Sequence, residues 1–180
     1  MIQRVLQIVS TTDSRPTIIK RRPALLVLTG PVNSGKSRTL RRWLCTWEEE
    51  GWSLGGIVSD AVWNFNMKFG YDLVDLTSGK AWPVLRTSGF SSEVKIGKYH
   101  VDVQCLGEVS RAACKTPDRD LLVLDEVGPL EMERNDGLIA VLTTFLLKQN
   151  SSLCVVVRES LLDTFLERYQ YFRKSGRMLL

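Results

Sequence analysis

Short apolar runs recur along the chain, separated by stretches in which hydrophobic residues return every third or fourth position. Ala24-Leu25-Leu26-Val27-Leu28, Leu54-Gly55-Gly56-Ile57-Val58, Leu121-Leu122-Val123-Leu124 and Leu153-Cys154-Val155-Val156-Val157 have the length and composition of strands buried on both faces. Between them, Leu40, Trp43, Leu44 and Trp47 share one helical face, as do Val103, Leu106, Val109 and Ala113 in a helix running to about Lys115. Leu138, Val141, Leu142 and Phe145 predict a helix over 136–148, and Leu161, Leu162, Phe165, Leu166 and Tyr169 predict another, opened by a Ser160-to-Asp163 capping box. Strand and helix patterns that alternate in this way specify an α/β fold with a mostly parallel sheet between helical layers.

One region breaks the alternation. Residues 70–76 and 80–86 each alternate apolar with polar residues around the turn Thr77-Ser78-Gly79, which reads as an antiparallel hairpin extending the sheet. Pro83 cannot donate to a ladder and favours an edge position. Just before it, Trp63, Phe65, Met67 and Phe69 fall on every second residue, as a strand or an aromatic flap, with packing on the core or sheet edge expected over base stacking. Residues 87–98 read as loop, and the tail from Gly176 to Leu180 as a last strand. Val5 to Val9 is strand-like, either an added edge strand or a partner-binding arm, so residues 1–22 stand as an N-terminal extension to a single domain spanning 23–180.

Chemistry concentrates at two strand ends. After the first long run comes Gly30-Pro31-Val32-Asn33-Ser34-Gly35-Lys36-Ser37, followed by Arg38 and the first helix. This matches G-x-x-x-x-G-K-[ST] in the strand–loop–helix setting that a phosphate-binding loop requires. Its backbone N–H groups at a helix N-terminus suit a polyphosphate; Lys36 is placed for the β- and γ-phosphates and Ser37 for Mg²⁺. The run 121–124 ends in Asp125-Glu126. Two unpaired carboxylates at the end of a buried strand are costly, and a metal relieves that cost. Asp125 is therefore expected to hold Mg²⁺ through a water and Glu126 to deprotonate the attacking water. Arg158, at the end of the last apolar run, either supplies charge to the γ-phosphate or pairs with a carboxylate.

Composition narrows the classes rather than choosing among them. The net charge of +4, from 24 basic and 20 acidic residues among 180, suits phosphate handling and is too mild to indicate nucleic acid. Cys45, Cys105, Cys114 and Cys154 lack C-x-x-C spacing and read as reduced, buried thiols of a cytoplasmic protein. His100, the single histidine, reads as structural. No apolar run reaches membrane-spanning length.

Together, the loop Gly30–Ser37, the hairpin beginning Gly70-Tyr71, the segment Ile96-Gly97-Lys98-Tyr99 and the string Asp125-Glu126-Val127-Gly128-Pro129-Leu130-Glu131 resemble a small nucleoside-triphosphatase family of thermophiles and vertebrates, described as nucleotide-kinase-like. The resemblance covers roughly 24–165 and implies a RecA-like three-layer α/β/α fold. It also implies slow Mg²⁺-dependent hydrolysis of several nucleoside triphosphates, ATP or GTP among them. Pro129 stands where that family usually has lysine, and Ser59-Asp60-Ala61 where it has a threonine-glutamate-glutamate-like strand end, which marks a divergent branch. Two other readings use the same loop: a phosphotransferase with a small acceptor, and a nucleotide-dependent switch that signals to a protein partner. The absence of an Asn-Lys-x-Asp segment argues against a guanine-specific switch.

Overall fold

The computed structural model describes residues 4–20 and 22–175. Strands β1 (Val5–Ser10), β2 (Ala24–Gly30), β3 (Leu54–Asn64), β4 (Met67–Asp75), β5 (Ala81–Arg86), β6 (Lys95–Ile96), β7 (Tyr99–Val101), β8 (Leu121–Val127) and β9 (Ser152–Arg158) form one sheet. Their order is β1-β2-β9-β8-β3-β4-β5-β7-β6. The half from β1 to β3 is parallel and the half from β4 to β6 antiparallel, so β3 divides two kinds of ladder. The fold is the three-layer α/β/α arrangement expected from the sequence, with β9 between the phosphate-loop strand β2 and the carboxylate strand β8.

Alternate residues of the buried strands point to opposite layers. Leu26, Leu28, Val123 and Val156 face helix α1 (Lys36–Glu49) and meet Leu40, Trp43, Leu44 and Trp47. Each such side chain contributes roughly 1.5–3 kcal/mol by leaving water. On the other face, Leu25, Val27, Leu122, Leu124 and Val155 pack under α2 (Val103–Cys114), α4 (Ile139–Leu147) and α5 (Leu162–Ser175). A short helix α3 (Pro129–Glu133) caps the end of β8.

Residues 5–10 take the edge-strand form: β1 pairs parallel with β2. Just ahead of it, the buried guanidinium of Arg4 donates to the carbonyls of Phe145, Leu146, Lys148 and Ser151. Phe145 and Leu146 lie in the last turn of α4, where carbonyls have no donor four residues on.

Several expectations need correction. The aromatic segment is the tip of the β3–β4 hairpin, and Trp63, Phe65 and Met67 are 59%, 96% and 75% exposed, so they do not pack on the core. Alternation at period two reports a strand but not whether anything covers its faces. The stretch read as loop over 87–98 contains β6 and leads straight into β7, strands too short to leave a pattern. Strand β5 is not an edge, yet Pro83 keeps clear of β7, which pairs only with Leu85 and Arg86. Helix α4 starts at Ile139, later than expected, because Asp136, Gly137 and Leu138 form the turn that enters it. Ser160 lies within a 3-10 turn, Glu159–Leu161, ahead of α5 instead of capping it. Of the cysteines, all free, only Cys154 is buried and Cys45 is exposed. The expected terminal strand lies outside the described residues. No helix among those described is long and apolar enough to cross a membrane.

Gly56 presents the open side of its Cα to the β8 backbone at Val123. Its φ is 107°, and a Cβ there would stand 2.1 Å from the Val123 carbonyl oxygen. Gly56→Ala should cost more than about 3 kcal/mol of unfolding free energy, from backbone strain and steric displacement together. Chemical denaturation is the check, and a loss below about 1 kcal/mol would show that β3 can shift to make room.

Candidate functional site

The parallel strands all deliver their C-terminal ends to one edge of the sheet, where open α/β folds build their sites. Gly30 at the end of β2 stands beside Arg158 at the end of β9, and β8 brings Asp125 and Glu126 alongside. The β3–β8 ladder stops at Ile57 and Leu124. Beyond that point the strands part, and the Ser59 N–H donates to Asp125 Oδ2 at 3.3 Å in place of a ladder bond.

The loop between β2 and α1 is shaped by its backbone. Gly35 caps α1 in the left-handed region, with φ 88°, a conformation glycine adopts without cost. No acidic side chain lies in the first turn of α1, so the positive end of that helix has no local carboxylate to neutralise it. Lys36 is 8% exposed, and its Nζ donates to the carbonyls of Gly30 at 3.0 Å and Pro31 at 2.8 Å. Burial lowers its pKa from the ordinary lysine value, while the nearby Glu126 acts in the opposite sense.

Asp125 is 1% exposed. It accepts from Ser37 Oγ at 3.3 Å through Oδ1 and from Ser59 through Oδ2. Burial, reinforced by Glu126, pushes its pKa up to about 7 against the pull of those two donors. A cation beside it would offset the cost of burying this carboxyl. One hydroxyl and one carboxylate are hard oxygen donors, and among the described residues no cluster of three His, Cys, Asp or Glu forms a protein cage. The donor set fits Mg²⁺, which usually keeps most of its coordination for water and substrate phosphate.

Glu126 follows on the more open side of the strand end, where Arg158 Nε donates to its Oε1 at 2.9 Å. Their side chains are 34% and 29% exposed, respectively. Of the two expectations for Arg158, this geometry displays pairing with a carboxylate. Glu131, the last residue of the Asp-Glu-x-Gly-x-x-Glu string, instead turns inward: its carboxylate accepts from the N–H groups of Gly128 and Leu138, each at 2.9 Å. It ties the chain leaving β8 to the entrance of α4. Burial raises its pKa.

A cavity of about 850 Å³ opens over these strand ends. Val32, Asn33, Ser34, Gly35, Lys36, Ser37 and Arg38 line it together with Glu126 and Arg158, while Gly30, Pro31 and Asp125 are not among its lining residues. The sequence reading missed Lys68 of β4, whose Nζ reaches Asn33 Oδ1 at 3.3 Å and the Tyr71 hydroxyl at 3.0 Å. It also missed Arg41, which pairs with Asp60 across the cavity wall. A lysine on an exposed strand and an arginine on a helix carry no local signal of this kind; the fold brings them over the loop. His100 lies away from the cavity and holds the Ser92 carbonyl through Nδ1 at 2.8 Å.

A protein-family model described as NTPase matches residues 25–178. Among curated relatives, a protein of Methanopyrus kandleri named nucleoside-triphosphatase THEP1 is 32% identical over 120 residues, 66% of each chain. A Thermococcus kodakarensis protein of the same name is 28% identical over 144 residues, covering 78% of this chain and 79% of that one. The chain thus spans about two thirds to four fifths of the length of these relatives. Two solved structures share the fold: the solution structure of a human cancer-related nucleoside triphosphatase, with TM-score 0.59 and 22% identity over 79% of this chain and 83% of that one, and the crystal structure of THEP1 from Aquifex aeolicus, with TM-score 0.55 and 19% identity over 87% and 88%. Because the NTPase model runs from the phosphate-loop strand through the last helix, this chain belongs to the NTPase family.

Proposed function

We propose that the chain hydrolyses nucleoside triphosphates to diphosphate and phosphate, with Mg²⁺ as cofactor. The observation that carries this reading is the shared cavity, in which Lys36 and the loop residues around it line the same space as Glu126, a space large enough for a triphosphate. The relatives' printed name, nucleoside-triphosphatase, supports it.

The residues divide the work as follows. The loop from Gly30 to Ser37 binds the phosphates, chiefly through backbone N–H groups, and Arg38 adds charge at the rim. Lys36 exchanges the Gly30 and Pro31 carbonyls for phosphate oxygens. Ser37 and, through water, Asp125 hold Mg²⁺, which supplies neutralisation of charge on the phosphate oxygens when bound. Glu126 orients a water and takes its proton as the oxygen attacks the γ-phosphorus. Arg158 leaves Glu126 to donate to the γ-phosphoryl oxygens, where negative charge must be stabilised. That exchange makes hydrolysis depend on opening an existing ion pair, which is consistent with slow turnover. Broad base preference is proposed because the groups assigned here all address phosphate or water.

Phosphate and diphosphate release from ATP, GTP, CTP and UTP with Mg²⁺ tests the reading. Glu126→Gln should slow release about 10²-fold or more while triphosphate affinity is retained. An unchanged rate would remove Glu126 from the role of base. Lys36→Ala should abolish triphosphate binding with little loss of fold, and calorimetric titration giving near-normal affinity would refute the loop assignment. Arg158→Gln should lower kcat by about 10²-fold and change affinity little. A loss confined to affinity would make Arg158 a binding residue only.

A further inference from the structure

A second cavity, of about 350 Å³, lies against the first. Its body is apolar and interior: Leu73, Val84, Ile96, Val101, Leu106 and Leu138 line it, from β4, β5, β6, β7, α2 and the turn before α4. Leu73, Val84, Val101 and Leu138 are each 8% exposed or less, so the floor of the chamber lies in the core, while Val32, Gly97 and Lys98, which also line it, are exposed. Tyr71 and Tyr99 form a wall common to both cavities, edge to face with ring centres 5.4 Å apart. Glu126, Arg158 and Ser59 also border both. Glu131 lines the chamber too, but its carboxylate is taken up by the Gly128 and Leu138 N–H groups; the end shared with the first cavity carries the carboxylate assigned above as the base.

A triphosphate in the loop has its γ-phosphate nearest the carboxylate strand, and its base attached at the opposite, α-phosphate end. The chamber thus adjoins the side from which the γ-phosphorus is attacked. Water alone gains nothing from an apolar chamber, whereas one of this volume is at the lower end of the range that holds small organic ligands. We propose that the chamber is a binding site for a small aromatic alcohol, whose hydroxyl takes the place of the attacking water at Glu126. This goes beyond hydrolysis but rests on the same assignment of loop and base. The alcohol oxygen forms a bond to the γ-phosphorus as the bond from that phosphorus to the β,γ-bridging oxygen breaks. The bond's electron pair leaves with the nucleoside diphosphate, Glu126 receives the hydroxyl proton, and the products are a phosphate monoester and the diphosphate. No oxidant or reductant is required.

Benzyl alcohol is the probe, since its ring fits the apolar body and its hydroxyl reaches one end. With the full chain, Mg²⁺ and ATP, phosphorus NMR should show benzyl phosphate forming alongside inorganic phosphate, with the ester share rising as alcohol is added. Ile96→Trp and Leu106→Phe place bulk in the chamber from two elements outside the phosphate site. Each should lower ester formation at least about tenfold while leaving phosphate release without alcohol within about twofold. Saturation-transfer NMR should show benzyl alcohol bound to the unmodified chain and not to Ile96→Trp. Ester absent while phosphate is released, or ester undiminished in both filled variants, would overturn the proposal. So would competition between the alcohol and ATP, which would assign the chamber to the nucleobase. If the chain releases no phosphate and no diphosphate, hydrolysis itself fails; the saturation-transfer comparison still decides the chamber, with no binding overturning it.

Discussion

The site depends on the place where β3 and β8 stop pairing. Up to Ile57 and Leu124 the two strands share a ladder, held close by the absence of a side chain at Gly56. One residue later, Asp125 enters a buried position where a carboxyl is costly, and its oxygens take the Ser37 hydroxyl and the Ser59 N–H. These two bonds join the carboxylate strand to the phosphate-loop helix and to β3, where parallel pairing gives way to antiparallel. The crevice above them is the space left when the ladder ends.

From that constraint the remaining geometry follows. Pairing of β9 between β2 and β8 sets Gly30 beside Arg158 and leaves Arg158 within reach of Glu126. Glu131 then pins the backbone that leaves β8, through Gly128 and Leu138, so the strand end carrying Glu126 is braced from behind. The antiparallel half contributes differently. It carries Lys68 and Tyr71 to the rim of the loop and, with α2, encloses the apolar chamber. In the proposed reading, one half of the sheet addresses phosphate and the other shapes what stands opposite it.

The sequence was most informative where one segment contains the whole signal. The face Leu40, Trp43, Leu44 and Trp47 announced α1, and four consecutive apolar residues announced β8 because both its faces are covered. The loop was legible for the same reason: strand, glycines, lysine, hydroxyl and helix are contiguous. The pairing of Arg158 with Glu126 was not, because it joins the ends of two strands 32 positions apart, and either arginine role is compatible with that spacing. Trp63, Phe65 and Met67 misled because their alternation is real, but the hairpin tip has nothing over it. The chamber left no trace at all. The apolar residues of its body come from separate elements, β4 to β7, α2 and the turn before α4, each of which reads alone as ordinary core.

In the proposed reaction, water at Glu126 attacks the γ-phosphorus of a triphosphate held by the loop. Hydrolysis of Mg-ATP in ¹⁸O-labelled water, with both products examined by mass spectrometry, tests it most directly. One labelled oxygen is expected in the released phosphate and none in the diphosphate. Label in the diphosphate, or cleavage between the α- and β-phosphorus, would place the attack elsewhere and contradict it.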